Sequence, residues 1–467
     1  MNEKYIAKFL PIAAAVVGAL AILLWMRSGP GTPLKERMPG ADRAEGAGPA
    51  ASTWKWEGKV VKSTGTPANL PGAWPRFRGP NYDDIGPDTQ PTLARAWPAD
   101  GPPVLWRKDA GEGYAPPVIW QGRVFLMDYD REATSDALRC LSLADGQEIW
   151  RYTYPLKVKR NHGMSRTAPT VTDKGVVAMG PKCHVICVHP LTGELIWKLD
   201  LVREFNFEVP QWYAGQCPFV DGDRVILGVG GDALVIAVDL ATGKILWKTP
   251  NPRQWAMTHS SIAPMDLQGR KTYVYCGSGG VAGVAADDGS ILWDTTDWRI
   301  SIANIPTPLP VGEGRVFLCG GYEAGSMMLR VQSAGSKATV TNLFRLKPKV
   351  YGSTQQTPIL FQGHIIGVRP DPDAQLVCLG LDGKAVWESG PANRFGSGPY
   401  LMAQNLIYVM NDKGVLTLAE ASLTGYKQLA QAKVLNGHDS WGPMALAGGR
   451  LLVRDMNQLA CLDVAAH

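Results

Sequence analysis

The stretch AVDLATGKILW, Ala237–Trp247, decides how the chain folds. It reads as a strand, a tight turn and a second strand. Thr242–Gly243 supplies the turn, because glycine tolerates positive φ at little cost. Trp247 then falls a fixed distance beyond the turn, where an indole can pack on a neighbouring unit. The register recurs as CLSLADGQEIW (Cys140–Trp150), CVHPLTGELIW (Cys187–Trp197) and GVAADDGSILW (Gly283–Trp293). CLGLDGKAVW, ending at Trp387, is one residue shorter. ADGPPVLW, ending at Trp106, is looser, and weak copies end near Phe344 and Tyr426.

A second signal interleaves with the first. Pro117, Pro169, Pro218, Pro264, Pro308, Pro358, Pro399 and Pro443 each precede an alternating strand pair of the type PVIWQGRVFLMD. Proline suits the first residue of a strand, where no ladder donor is lost. The prolines are 41 to 52 residues apart. Each unit therefore holds four antiparallel strands in the length of a propeller blade. The chain ends after GRLLVRDMNQLACLDVAAH, which supplies strands but no tryptophan-bearing last one. The Trp106 strand offers the missing element, and joining the two closes a ring without an exposed sheet edge. The sequence thus predicts an all-β, eight-bladed β-propeller of four-stranded blades over residues 73–467. Trp106, Trp150, Trp197, Trp247, Trp293 and Trp387 are expected between blades rather than on a ligand.

These units resemble the tryptophan-docking repeat of pyrroloquinoline-quinone (PQQ) type propellers, roughly A-x-D-x-x-T-G-x-x-x-W. Ala237, Asp239, Thr242, Gly243 and Trp247 match it in full. The stretch WPRFRGPN, Trp74–Asn81, looks like the opening segment of many propellers of this superfamily. The resemblance implies one of two functions. PQQ-dependent alcohol dehydrogenases are enzymes, whereas BamB-like proteins are scaffolds of outer-membrane protein assembly without the cofactor.

Composition narrows the choice little. Apolar residues make up 45% and charged residues 19%, which supports a core and excludes a wholly disordered chain. A net charge of +5 over 467 residues demands no nucleic-acid partner. Phe9–Met26 is an uncharged apolar run, close to the shortest length that spans a bilayer as a helix. It is longer than a usual signal core and lacks an A-x-A site, so residues 1–26 read as an uncleaved membrane anchor. Residues 27–72, rich at first in Gly, Pro and Ala, read as a flexible tether and lead-in to the propeller. The simplest topology anchors the chain in an inner membrane with the propeller in the periplasm or another extracytoplasmic space.

Eight cysteines in an exported domain invite a disulfide reading. Cys140 and Cys187, however, share one repeat position with Ala237 and Gly283, so they read as small buried residues at blade-packing positions. No C-x-x-C occurs, and no metal site is predicted, although Cys183, His184, Cys187 and His189 lie close in sequence.

The loops before the eight prolines converge on one mouth of the channel and are the natural place for a ligand. His162, Arg166, Trp212 and His259 fall there, as do Asn304, Gln355, His438 and Trp441. A quinone dehydrogenase would need a carboxylate base and, for Ca²⁺, several oxygen ligands. Acids near the mouth are scarce, and Asp439 is the best candidate for a base. The adjacent-cysteine disulfide of the family's alcohol dehydrogenases has no counterpart, since no Cys-Cys pair occurs. The sequence favours a membrane-anchored, protein-binding scaffold with no cofactor. A PQQ and Ca²⁺ dehydrogenase, or a binder of small ligands or glycans, are the alternatives.

Overall fold

The computed structural model describes residues 16–24, 56–87, 91–334 and 337–467. The chain divides into two compact units, Met1–Gly48 and Pro49–His467. In the first, residues 16–24 form a helix. No described helix is long and apolar enough to cross a membrane. The rest of the predicted anchor, and residues 27–55 of the predicted tether, lie outside the described residues.

The second unit forms eight antiparallel sheets. Blade 3 shows the plan, with strands Phe219–Asp221, Arg224–Gly228, Val235–Asp239 and Ile245–Lys248 hydrogen-bonded in chain order. Its hairpin explains the repeat motif. Asp239 Oδ1 accepts from the Thr242 amide at 2.8 Å and the Thr242 hydroxyl at 2.6 Å, and Gly243 N–H closes the turn on the Asp239 carbonyl. Gly243 has φ +73°, and a Cβ there would lie 2.7 Å from Cγ of Trp197 in the preceding blade. Conformation and close approach both demand glycine.

The same docking runs round the ring. Trp106 lies on Gly146, Trp150 on Gly193, Trp247 on Gly289 and Phe344 on Gly383. Indole N–H groups of Trp106, Trp197 and Trp387 donate to the carbonyls of Leu143, Leu240 and Ser422 in the next blade. A register break sits beside the docking position in every blade. The residue paired across from the indole must be small. Cys140, Cys187, Cys378 and Cys461 pair with Trp150, Trp197, Trp387 and Trp106. All eight cysteines are buried and free.

Blade 8 closes the ring across the termini. Val104–Asp109 pairs with Gln458–Asp463, matching Trp106 with Cys461. Two features depart from the sequence reading. The docking position of blade 7 is held by Ala430, opposite Leu418, not by Tyr426. Tyr426 instead sits 6.4 Å from the Trp387 ring, because the fourth strand begins only at Gln428. Blade 1 carries a fifth strand, Lys59–Lys62, on its outer edge. Just before it, Trp56 stacks on His184 with ring centroids 4.5 Å apart, which seats this outer strand against blade 2.

The innermost strand of each blade is a sheet edge, so the opening prolines cost no ladder bond. These strands line a channel, and residues 74–86 cross it. Trp74 exchanges two backbone hydrogen bonds with Ile119 of blade 1, and Pro75 accepts from Val171 of blade 2. The Tyr82 hydroxyl reaches the backbone of Val220 in blade 3. Arg78 donates to the Pro358 carbonyl of blade 6, and the Asp84 carbonyl accepts from Met402 of blade 7. Five blades are thus tied together from inside.

Candidate functional site

Loops before successive innermost strands are bonded blade to blade. Tyr114 N–H donates to Ser165, the Thr170 hydroxyl to Pro218, and Cys217 N–H to the Ser261 hydroxyl. The Ser260 hydroxyl continues to Pro306, and Thr307 N–H to the Thr357 hydroxyl. Buried Arg454 returns the collar to blade 1 through the Ala115 and Gly111 carbonyls. A rigid collar holds the side chains inside it in fixed positions.

Inside the collar is a cavity of about 820 Å³ to which all eight opening loops contribute. Its volume falls within the range of small-ligand sites, roughly 300–1,000 Å³. Phe77 of the crossing segment lines both this cavity and a smaller one of about 250 Å³ bounded by Arg78 and Tyr82. The crossing segment therefore forms the floor, and the mouth cavity is blind at that end.

One wall is aromatic and cationic. Trp441 stacks on Tyr114 at 5.3 Å, and the Arg166 guanidinium lies over the Tyr114 ring at 5.9 Å. The Trp441 indole donates to Asp412 Oδ1 at 2.6 Å, and the same oxygen accepts from Ser397 N–H. Arg166 is held by the Asn161 and His162 carbonyls through Nη2, while its Nη1 is buried with no partner among the described residues. His259 is 9% exposed, and its Nε2 also has no partner there. Burial, with Arg166 nearby, pulls the His259 pKa down to about 4, so the ring is neutral near pH 7. Burial also lowers Arg166 to about 10, which leaves it charged. Tyr114 is pushed up by burial and by Asp439.

The opposite rim is charged, with Glu323, Asp371 and Asp373 on blades 5 and 6 and Lys349 among them. Among the described residues no three His, Cys, Asp or Glu side chains gather as a metal-ligand set. A calcium-bound quinone would therefore lack its expected carboxylate cluster here. The residues do not fit that pair.

His162, Arg166, Trp212, His259, Gln355 and Trp441 line the cavity. Asn304 and His438 lie outside that lining. The Asn304 carbonyl accepts from His259 N–H, and its buried side chain lies beside the Cys276 sulfur. His438 projects into solvent, 75% exposed, and pairs with Asp439 at 3.2 Å. Asp439, the candidate base, is also outside the lining. The Cys183–His189 group diverges: Cys183 faces Met257, Cys187 faces Leu240 and His184 lies under Trp56. Sequence reasoning missed Tyr114, although AGEGYAPP is one of the opening loops. It also missed Phe77, which no repeat position marks.

The fold and the collar define a closed, eight-bladed propeller with a blind, aromatic-lined mouth. A family model described as outer membrane protein assembly factor BamB matches residues 88–204 and, overlapping them, 134–382. The chain belongs to that family. BamB from Moraxella catarrhalis is 14% identical over 73% of this chain and 92% of its own, with a TM-score of 0.49. The computationally designed Ika8 protein is 11% identical over 77% of this chain and 99% of its own, with a TM-score of 0.51. A quinohemoprotein alcohol dehydrogenase, ADHIIG from Pseudomonas putida HK5, is 13% identical over 85% and 81%, with a TM-score of 0.44. Identities this low speak to fold alone. No curated protein sequence matches significantly.

Proposed function

We propose that this chain is a binding propeller that holds another polypeptide at its mouth and carries out no redox chemistry there. The observation that carries the reading is the blind cavity of about 820 Å³, rigidly collared and lined by aromatic side chains together with Arg166 and His259. Such a site holds a ligand in place, and among the described residues no calcium ligand set gathers there. Family membership adds to the scaffold reading, since the matching model describes an assembly factor. In this reading residues 9–26 tether the propeller to an inner membrane, on its extracytoplasmic side, with no cofactor.

A photo-crosslinking amino acid at Trp212 or Tyr322, both of which line the cavity, compared with one at exposed Arg270, tests the proposal in membranes of the source cell. One discrete polypeptide adduct from the mouth positions alone is expected. Saturable binding of PQQ with Ca²⁺, followed by dye reduction on adding an alcohol, would overturn it. Membrane fractionation before and after deleting residues 9–26 tests the tether: loss of the chain from the membrane fraction is expected.

A further inference from the structure

The binding reading leaves open which feature of a polypeptide the mouth recognises, and this inference rests on that reading. The crossing segment closes the cavity at Phe77, so a strand cannot pass through and only an end or a side group can enter. The charged groups that would meet it are of both signs. Glu323, Asp371 and Asp373 line the cavity together with Lys349, all exposed or half-buried, and none of these side chains makes an ion pair or hydrogen bond among the described residues. Gln355 adds a half-buried side-chain amide that is likewise unbonded there. Its neighbours fix its place: Gln356 Nε2 donates to the Trp441 carbonyl at 3.0 Å, and Thr354 lies so close to Gly321 that a Cβ on the glycine would fall 2.8 Å from it. The residues on either side of Gln355 thus touch the aromatic wall and the turn that carries Tyr322 and Glu323. That turn holds these two bulky residues at φ +53° and +64°, a conformation that favours glycine. Tyr322 is 44% exposed there, and strain kept at a cavity rim points to a ligand rather than to stability.

A strongly charged ligand of either sign would be drawn by part of this lining and repelled by the rest. A neutral ligand rich in hydroxyl groups meets no such conflict, because each hydroxyl both donates and accepts. The aromatic residues add a second requirement. Trp441 is locked, stacked on Tyr114 with its N–H on Asp412, and offers a ligand ring surface alone. Trp212, half-buried at the cavity, makes no hydrogen bond among the described residues, and its indole N–H is open to solvent. A flat apolar face edged with hydroxyl groups is the shape of a sugar ring, and such faces pack on aromatic rings. The two ends of a polypeptide are charged, whereas the outer end of a neutral glycan is not. We propose that the mouth cavity receives the outer end of a neutral glycan carried by the polypeptide, with Trp212 and Trp441 against its C–H faces and Glu323, Asp371 and Gln355 bonding its hydroxyl groups.

The test uses the purified full-length chain, immobilised, and neutral oligosaccharides of glucose, mannose, galactose and N-acetylglucosamine. Retention of at least one of them is expected, unchanged between about 50 and 500 mM NaCl, since a neutral ligand leaves salt no charge to screen. Trp212→Ala should weaken it about tenfold, the scale of an aromatic contact, and Trp212→Phe should weaken it less, with thermal melts checking that both variants fold. The polypeptide adduct crosslinked at the mouth should carry sugar, read by periodate labelling. Retention of none of the four sugars would overturn the inference, and so would an adduct that carries no sugar, while the crosslink itself leaves the binding reading intact. Retention that disappears at high salt would assign the ligand a charge and overturn it too. Sugar retention with no polypeptide adduct would overturn the binding reading and, with it, the assignment of the glycan to a polypeptide.

Discussion

Trp106 lies on Gly146 so closely that a Cβ added to the glycine would fall 2.7 Å from the indole. This contact joins the ring-closing strand to blade 1. Trp106→Ala should therefore cost roughly 3–5 kcal/mol, as large-to-small changes at buried aromatics do. Trp150→Ala should cost about the same, since Trp150 is 2% exposed. Trp247 is only half-buried, and Trp247→Ala should cost clearly less. Urea denaturation of the three variants checks the order.

Arg78 and Asp84 form a buried pair at 2.5 Å within the segment that crosses the channel. Burial pushes the Asp84 carboxyl above its ordinary pKa even with Arg78 beside it. Removing one partner strands the other, so Arg78→Ala should destabilise by about 3–5 kcal/mol. The double variant Arg78→Met with Asp84→Leu should cost less than Arg78→Ala. Chemical denaturation of the two variants and the parent measures the difference.

Asp136 is fully buried and accepts from the Tyr154 hydroxyl at 2.5 Å. Burial raises its pKa to about 8. The folded state therefore holds a proton that the unfolded state releases near pH 4. Stability contributed by the protonated form is complete below about pH 4, falls as pH rises, and is gone once pH passes about 8. Asp136→Asn should flatten this dependence. Melting temperatures of parent and variant, measured from pH 5 to 9, should diverge toward the alkaline end.

Asp412 holds the Trp441 indole and the Ser397 amide with one oxygen. Asp412→Ala should release both and cost about 1–3 kcal/mol. It should also loosen the aromatic wall, read as a red shift in tryptophan emission and weaker crosslinking from the mouth.

Most of the ring was legible in the sequence. Thr242–Gly243 and Trp247 obey local rules of turn and docking, and those rules repeat with each blade. Closure through Trp106 followed from a missing strand at the other end. The fifth strand, Lys59–Lys62, and the crossing segment were hidden for a common reason: their partners are distant and unrepeated, so no period announces them. Asn304 and His438 show the same limit at the site. A loop position can be assigned from the repeat, but whether a side chain turns toward the cavity, the interior or solvent depends on neighbours from other blades. Ala430 shows that a docking position survives without an aromatic residue, held by strand register alone.

The crossing segment also imposes an order of events during synthesis. Residues 74–86 leave the ribosome early, yet two of their anchors, Pro358 and Met402, are made about 280 to 330 residues later. Such distant pairings come late in folding. Part of the first stretch of the propeller must wait for nearly the last, and a chain that stops short of blade 7 is left with its channel floor held from the early blades alone. Completion of the molecule is thereby registered at its centre.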